Sequence, residues 1–352
     1  MKASISSGTL WETLQALPKV DLHRHLEGSL RLSTLAEVAE KHGIHLPSYD
    51  IERLRPYVQM TQDQEPDFHT FLRKFDLLRR FYSNREAIER VAYEAVADAA
   101  SDNVQYLELR FSPVALANSQ GFRLAEVMEW VIGAAQRAAD ACAIQVRLIT
   151  TITRDIPVDQ AMEVVHLAAQ YRPYGVVGVD LAGDEVNHPH PPFGEVLHWA
   201  KDQGLCLTVH AGEATGASSV RTAVEVLGAD RVGHGVRAAE DPSVVELLRN
   251  RRTTLEMCPT SNLHTGAVRT IGAHPARQYH LQGVRVTINT DDPSISNITL
   301  SDEYLVAMRG IGFTLQELKE TILNAAQAAF LPPEEKENLW RRLEQGLAGL
   351  HE

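Results

Sequence analysis

Short runs rich in β-branched residues alternate with longer helical patterns along the whole sequence. This alternation is typical of parallel strands that are joined by crossover helices. Several runs are almost wholly apolar until their last residues, as expected for strands that helices cover on both faces. There are eight such runs, at residues 20–25, 104–111, 146–153, 176–182, 205–211, 231–236, 253–258 and 284–290. Eight strands in this rhythm predict an α/β fold, a (β/α)8 TIM barrel.

An open doubly wound sheet is the alternative fold for such a pattern. Its usual nucleotide-binding signals, a Gly-x-Gly-x-x-Gly turn or a P-loop after the first strand, are absent. Polar residues also recur at the ends of nonadjacent strands, which favours a barrel because all its strands open at one mouth.

Two segments exceed what eight strands and their crossovers need. An insertion at about residues 30–103 follows the first strand and contains an aromatic-rich helical stretch at 66–75. We expect a helical lid over the barrel mouth, or extra helices packed against the outside. After the eighth strand, residues 313–330 and 334–350 predict two closing helices. Because no repeat or linker interrupts the pattern, residues 1–352 are predicted to form a single domain.

Composition limits the partners and the compartment. The formal net charge is −12, from 34 basic and 46 acidic residues, so the chain is a poor binder of nucleic acid or anionic membranes. The cysteines Cys142, Cys206 and Cys258 form no Cys-x-x-Cys pair, which indicates a reducing compartment. The first residues lack the apolar core of a signal peptide, and no run of about 18 apolar residues occurs. We therefore expect a cytoplasmic protein.

Two histidines share one face of the first predicted strand. His23 and His25 stand at i and i+2, so both imidazoles reach the same side, and Glu27 continues that side at i+4. Such a pair alone is more often two satisfied polar side chains than a metal site. In a barrel, however, all strands end at the same mouth. The side chains expected to converge there are His23, His25, His210, His234, Glu213, Asp291 and Asp292.

Three of these histidines and one carboxylate form a suitable zinc site. We predict that His23, His25, His210 and Asp291 bind one Zn²⁺ per chain and leave a position for water or substrate. The ion would lower the pKa of its water toward neutrality and supply hydroxide. A second metal is not expected, because the fourth strand lacks the bridging lysine of binuclear hydrolases.

The other mouth residues are assigned to proton transfer and substrate contact. Glu213, three residues beyond His210, is free to move protons. His234 can orient the water and stabilise the developing charge. Asp292 points away from its neighbour Asp291, since adjacent strand residues alternate faces, and is therefore a better candidate for substrate contact than for a second metal.

Ordered motifs extend over nearly the whole chain, at residues 18–25, 71–75, 106–113, 180–185, 210–213, 231–235 and 290–293. Together they resemble the adenosine deaminase family, within the metal-dependent amidohydrolase superfamily. The resemblance implies hydrolytic deamination of a 6-aminopurine, in which zinc-bound hydroxide adds to the ring carbon that bears the amino group. Glu213 would donate a proton to the adjacent ring nitrogen, and the tetrahedral intermediate would expel ammonia.

The resemblance also implies contacts for the purine. The backbone of Gly183 would meet the ring nitrogen on the pyrimidine side, and Asp292 would meet the imidazole side. Phe71 and Phe75 would line a mobile, apolar part of the pocket. Their spacing with Phe68, three and four residues apart, is by itself more typical of a helix core than of a pocket.

Glu27 departs from the family pattern, in which Asp usually holds the ribose 5′-hydroxyl. The extra methylene advances the carboxylate by about 1.5 Å, which favours a smaller ligand or one changed at the 5′ position. Free adenine and 5′-modified adenosines such as aminodeoxyfutalosine are therefore alternative substrates. Residues 181–185 and 233–235 nevertheless follow the nucleoside pattern. The preferred prediction is a purine nucleoside, adenosine or 2′-deoxyadenosine, which reacts with water to give the inosine product and ammonia.

Two functions of other classes remain open. A different amidohydrolase reaction, such as hydrolysis of an ester or a cyclic amide, would be expected with two bound metals. A non-catalytic binding protein on this barrel would be expected to have lost Glu213 or a metal ligand, and none is missing.

Overall fold

The computed structural model describes residues 7–189 and 191–349 and contains a sheet of eight parallel strands. The strands follow one another in chain order, each hydrogen-bonded to the next. Their bounds are β1 Lys19–His25, β2 Val104–Phe111, β3 Gln145–Thr153, β4 Val176–Ala182, β5 Cys206–Ala211, β6 Arg231–His234, β7 Thr254–Met257 and β8 Val286–Ile288.

The first strand and the segment after the last strand meet at the barrel mouth and close the ring. The His25 N–H donates to the Asp291 carbonyl at 2.8 Å, and the Asp291 N–H donates to the His23 carbonyl at 2.7 Å. Arg24 and Asp291 form a parallel bridge at the same place. The predicted (β/α)8 barrel is confirmed, and the open doubly wound sheet is excluded.

The strands lie at the predicted runs, but three of them are shorter than those runs by two residues or more. β6 and β7 have four residues each, and β8 has three. His234 and Asp291 have φ angles of 63° and 62°, a left-handed conformation that ends an extended strand. β6 therefore ends at His234, and β8 ends before Asp291. Residues other than glycine rarely adopt this conformation, and those that do are concentrated at functional sites.

Helices surround the barrel and fill the insertion after β1. Within the described residues the α-helices are α1 Ser7–Ala16, α2 Leu32–His42, α3 Ile51–Val58, α4 Phe68–Leu72, α5 Lys74–Leu78, α6 Arg85–Ser101, α7 Pro113–Asn118, α8 Leu124–Cys142, α9 Val158–Gln170, α10 Gly194–Asp202, α11 Ala217–Glu225, α12 Pro242–Arg251, α13 Pro259–His264, α14 Ala276–Leu281, α15 Pro293–Ser296, α16 Leu300–Val306, α17 Leu315–Ala328 and α18 Pro333–Ala348. α17 and α18 are the predicted closing helices, and Leu350, the last residue of that prediction, lies outside the described residues. Among the described helices, we find none with the length and hydrophobicity that crossing a bilayer requires.

Apolar side chains pack between the sheet and the helices, whereas charged side chains bridge strands across the inside of the barrel. Arg231 on β6 donates to Glu108 on β2 and, at 2.5 Å, to Glu256 on β7. Arg110 on β2 also donates to Glu256, at 2.9 Å. Each of these buried charges faces an opposite charge, because an unpaired ion inside the barrel would be strongly destabilising. The interior is therefore a packed, charge-paired core that supports the mouth.

Candidate active site

The predicted mouth residues lie together at the carboxyl ends of the strands. His23 and His25 are at the end of β1, His210 is near the end of β5, and His234 ends β6. Asp291 follows β8 and is held against β1 by the backbone hydrogen bonds that close the barrel. These side chains are buried, except that His25 is slightly exposed. The barrel thus gathers residues that are far apart in the sequence.

Four of these side chains form a cluster that we name the metal corner: His23, His25, His210 and Asp291. One possible ligand atom from each lies within 4.8 Å of the others. Asp291 Oδ1 is 3.2 Å from His23 Nε2 and 3.4 Å from His25 Nε2. The Nε2 atoms of His25 and His210 are 3.2 Å apart. The structure therefore brings together all four side chains that the sequence suggests as metal ligands.

Two further carboxylates orient the histidines of the metal corner. His23 Nδ1 is 2.8 Å from Glu256 Oε2, and His210 Nδ1 is 2.9 Å from Asp180 Oδ1. Because an ionised carboxylate only accepts hydrogen bonds, each Nδ1 carries the proton and each Nε2 keeps a lone pair for a metal. Glu256 and Asp180 are not among the sequence-predicted site residues. Each is an acidic residue inside an otherwise apolar strand run, which is the signal that identifies such partners.

The donor set of the metal corner suits zinc. Three imidazole nitrogens and one carboxylate oxygen are ligands that Zn²⁺ accepts in sites that keep a position for water. A second possible group combines His234 and Asp291 with Cys258. Burial, and then the charge of Asp291, raises the pKa of the Cys258 thiol well above its usual value. This sulfur stays protonated and is the poorer ligand.

Glu213 lies beside His234 on a loop that another carboxylate holds. Glu213 Oε2 is 3.6 Å from His234 Nε2. Burial, and then the charge of Asp291, raises the pKa of Glu213 well above its usual value, so the protonated form is favoured. Glu185 accepts hydrogen bonds of 2.7 to 3.2 Å from the backbone N–H groups of residues 212–215. Glu185 thereby holds the loop that carries Glu213.

A second part of the pocket wall, which we name the Glu27 side, contains Glu27, Ser112, Phe75 and Arg79. Glu27 Oε1 accepts a hydrogen bond from the Ser112 N–H at 2.7 Å. Within the described part of the chain, Glu27 Oε2 is buried without a hydrogen-bond partner. Burial raises the pKa of Glu27 to about 7. One oxygen of this side chain is therefore left for a ligand.

Asp292 and Gly183 also line the pocket. Asp292 Oδ1 is another buried oxygen with no hydrogen-bond partner among the described residues. Burial, and then the charge of Asp291, raises the pKa of Asp292 well above its usual value. Gly183 has a φ angle of 98°, which side chains rarely permit, and its backbone faces the pocket without a side chain to cover it.

The short helices α4 and α5 form an aromatic wall of the pocket. The Asp67 side chain accepts the Thr70 N–H at 2.7 Å and so begins α4. Phe71 and Phe75 both line the pocket, with ring centroids 6.3 Å apart in an edge-to-face arrangement. Phe71 is also a member of the buried core. The cavity has a volume of about 90 Å³ for a water-sized sphere.

The family model described as adenosine deaminase matches residues 18–345 of the sequence. The chain belongs to the adenosine deaminase family. The family suggested by the sequence motifs is therefore confirmed. Membership makes the protein a hydrolase that acts on the C–N bonds of cyclic amidines, and a purine deaminase.

Relatives named adenosine deaminase match almost end to end. The one from Aliivibrio fischeri is 40% identical over 326 residues, which are 93% of this chain and 97% of that protein. The one from Shewanella loihica is 38% identical over 325 residues, 92% of this chain and 98% of that protein. The similarity to these adenosine deaminases thus extends over more than nine tenths of the chain.

Solved structures of three other proteins share the fold at lower identity. An adenine deaminase from Arthrobacter aurescens is 27% identical, with a TM-score of 0.86 over 94% of this chain and 98% of that chain. The Arabidopsis protein ADAL, complexed with IMP, is 28% identical, with a TM-score of 0.86 over 97% of this chain and 100% of that chain. An amidohydrolase from Burkholderia ambifaria with bound zinc is 25% identical, with a TM-score of 0.87 over 99% of this chain and 97% of that chain.

Proposed function

We propose that the protein hydrolyses adenosine and 2′-deoxyadenosine to the inosine product and ammonia, with one zinc ion per chain. The observation that carries this proposal is the position of Glu213 beside His234 in the pocket that the metal corner lines, where burial raises the pKa of this carboxyl well above its usual value. The names of the relatives support adenosine as substrate. The bound zinc of the Burkholderia ambifaria structure supports the choice of metal.

The side chains of the metal corner, His23, His25, His210 and Asp291, would hold the zinc ion. Zinc in such a site makes a water molecule acidic enough to ionise near neutral pH. Glu213 holds a proton on its carboxyl and donates it to the purine ring nitrogen next to the carbon that is attacked. His234 Nε2, which is 3.6 Å from Glu213 and 4.0 Å from Asp291, stabilises the negative charge that develops on the attacking oxygen.

Three other parts of the pocket would orient the purine. Burial raises the pKa of Asp292 well above its usual value, and its Oδ1 has no partner among the described residues, so this carboxyl can donate to an imidazole-side ring nitrogen. The uncovered backbone at Gly183 can meet the pyrimidine side. Phe71 and Phe75 supply apolar contact area that excludes water from the ring. Because these groups act on the base, they would serve every 6-aminopurine substrate alike.

The test is turnover by the zinc-loaded full chain. We expect the ultraviolet absorbance of adenosine to change to that of inosine, with one ammonia released per nucleoside. Metal analysis is expected to return one zinc per chain, whereas two metals would favour a different amidohydrolase reaction. If adenosine, adenine and 5′-modified adenosines are all left unchanged, the proposal is wrong.

A second candidate, deamination of a 5′-modified adenosine such as aminodeoxyfutalosine, is favoured by the Glu27 side. Arg79 and Ala115 line both the pocket and a neighbouring groove, so the two spaces are contiguous there. The groove also contains Arg80 and Arg85, and the Arg79 guanidinium lies 6.0 Å from the centroid of the Phe75 ring. A substituent on the nucleoside could extend into this groove, and an anionic one would be attracted by its arginines.

Two variants distinguish the candidates. Adenosine, adenine and an adenosine with a carboxylated aryl group at the 5′ position are compared by kcat/KM. Under the second candidate, Arg79→Gln lowers kcat/KM for the extended substrate about tenfold and leaves that for adenosine nearly unchanged. Glu27→Asp shortens the side chain and should raise the preference for adenosine. An Arg79→Gln variant that treats all three substrates as the wild type does would exclude the second candidate.

A further inference from the structure

Buried polar side chains lead away from the pocket behind His234. Asn262, on α13, has its Nδ2 atom 3.0 Å from His234 Nδ1. Its Oδ1 atom is 3.1 Å from His274 Nε2. His274 Nδ1 is 3.2 Å from the backbone nitrogen of Ala276, the first residue of α14. His234, Asn262 and His274 are each at most 4% exposed.

The backbone N–H of Ala276 determines which atom donates in each of these hydrogen bonds. A backbone N–H can only donate, so His274 Nδ1 accepts, and the single proton of a neutral His274 is on Nε2. His274 Nε2 therefore donates to the oxygen of Asn262. The other end of that amide is an NH₂ group, which donates to His234 Nδ1. The proton of a neutral His234 must then be on Nε2, the atom that faces Glu213 and Asp291.

Burial keeps the imidazole of His274 neutral, because it lowers the pKa of this side chain to about 3. The Asn262 N–H that donates to His234 Nδ1 leaves no room for a proton on that nitrogen. A neutral imidazole has one N–H and one lone pair, so the position of its proton decides whether His234 donates or accepts in the pocket.

We propose that Asn262 and His274 are positioning residues that hold His234 as a hydrogen-bond donor at Nε2, directed into the pocket. The proton position on His234 follows from the hydrogen bonds alone, whereas its role in catalysis rests on the proposed function. With its proton on Nδ1, His234 would present a lone pair to Glu213 and Asp291 and could not stabilise a developing negative charge. Asn262 and His274 act through His234, because neither lines the described pocket.

Asn262→Asp is the decisive variant, because it keeps the shape of the side chain and removes its N–H donors. The carboxylate still accepts from His274, but it also accepts at His234, which forces a proton onto His234 Nδ1. Spectra of zinc-loaded protein with ¹⁵N-labelled histidine report which ring nitrogen is protonated. The His234 signals are assigned by their loss in His234→Asn. We expect Nε2–H in the wild type and Nδ1–H in Asn262→Asp.

The same variant should show a matching kinetic change. Loss of one preorganised donor typically lowers kcat by roughly 10²–10³-fold. We expect a decrease of that size for Asn262→Asp with adenosine, with little change in KM, because the variant does not alter the residues that line the pocket. Thermal unfolding is measured on each variant, so that a general loss of folding is separated from a change at His234.

Two substitutions of His274 separate hydrogen-bond direction from packing. His274→Leu removes the donor to Asn262, so the amide can reverse and His234 loses its preferred proton position. His274→Gln can donate through its own amide and should restore both the Nε2–H spectrum and most of kcat. His280 pairs with Glu320 at 3.1 Å, away from the pocket. His280→Gln is the matched control and should change neither measurement.

Several results would overturn the proposal. These are a wild-type spectrum with the His234 proton on Nδ1, an unchanged spectrum in Asn262→Asp, or a His274→Gln variant that behaves as His274→Leu does. If the zinc-loaded wild type deaminates no purine, the proposed function fails, but the spectra still show the proton position on His234. The two failures are therefore distinguishable.

Discussion

The metal corner and the Glu27 side line one pocket, but their polar atoms are satisfied in different ways. In the metal corner, His23 and His210 each have Nδ1 bonded to a buried carboxylate, so the direction of Nε2 is set before any ligand binds. On the Glu27 side, only Oε1 of Glu27 has a hydrogen-bond partner among the described residues. The protein itself orients the nitrogens of one region toward an ion, and it leaves an oxygen of the other region for a ligand.

This difference suggests a division of labour within the site. Preorganised groups act on charge that develops during reaction, and they act on every substrate that reaches them. A buried polar atom without a partner discriminates between ligands, because a ligand that leaves it unpaired loses binding free energy. Changes in and around the metal corner should therefore affect turnover of all substrates, whereas changes on the Glu27 side should alter their ranking.

Among the changes that test this difference between the two regions, removal of the metal should have the largest effect on turnover. A chelator is expected to reduce turnover of every substrate to the background rate, because the water is no longer activated. One equivalent of zinc per chain should restore it, as measured by titrating activity against added metal. Chelator-treated and reloaded protein is the control. Full activity in protein shown by elemental analysis to lack metal would contradict the assignment of the metal corner.

Glu213→Gln should have the next largest effect. Glutamine cannot give up a proton, and general acid catalysis typically contributes 10²–10⁴-fold, so we expect kcat to decrease by roughly that factor. The zinc content should stay at the wild-type value, since Glu213 is not in the metal corner. Glu240→Gln, at an exposed position, is the matched control. Full turnover in Glu213→Gln would show that another group moves the proton.

Asp292 is expected to have an intermediate effect that depends on the replacement. Asp292→Ala removes the group that meets the purine and should lower kcat/KM by roughly 10- to 100-fold, the usual loss for one buried hydrogen bond of this kind. Asp292→Asn retains an N–H donor and should lose much less. Equal losses in the two variants would show that Asp292 acts as a charged acceptor rather than as a protonated donor.

The smallest expected effect is a change in the pH dependence of stability at Glu27. Burial raises the pKa of Glu27 from 4.5 to about 7, so folding favours the protonated form. This contribution is fully present below about pH 4.5 and is lost as pH rises through about 7. Glu27→Gln removes this contribution to stability. Between about pH 4.5 and 7, the Tm of the variant should therefore fall less steeply than that of the wild type, and the difference should be a few degrees at most. Melting curves at saturating zinc measure the difference, and parallel curves would contradict the raised pKa.

The barrel and the candidate metal ligands follow from the sequence because strand periodicity determines which face a side chain occupies. His23 and His25 share a face, and closure of eight strands brings His210 and Asp291 to them. Asp180 and Glu256 are harder to predict, since their role depends on which strands face each other across the barrel. Asn262 lies on α13 and His274 lies in the segment before α14, both beyond β7, and no spacing in the sequence connects them with His234. Their contact depends on helix packing, which a local pattern does not encode.

Asp291 links metal binding to the stability of the barrel, because it closes the ring of strands and also belongs to the metal corner. An ion bound to Asp291 together with His23 and His25 would act as a removable cross-link between the two ends of the barrel. The four ligands come together only in the folded barrel, so the ion would bind the folded chain and not the unfolded one. By mass action, resistance to unfolding would then increase with the logarithm of free zinc concentration once the site is saturated. The free zinc concentration would thus set the stability of the fold as well as the activity of the protein.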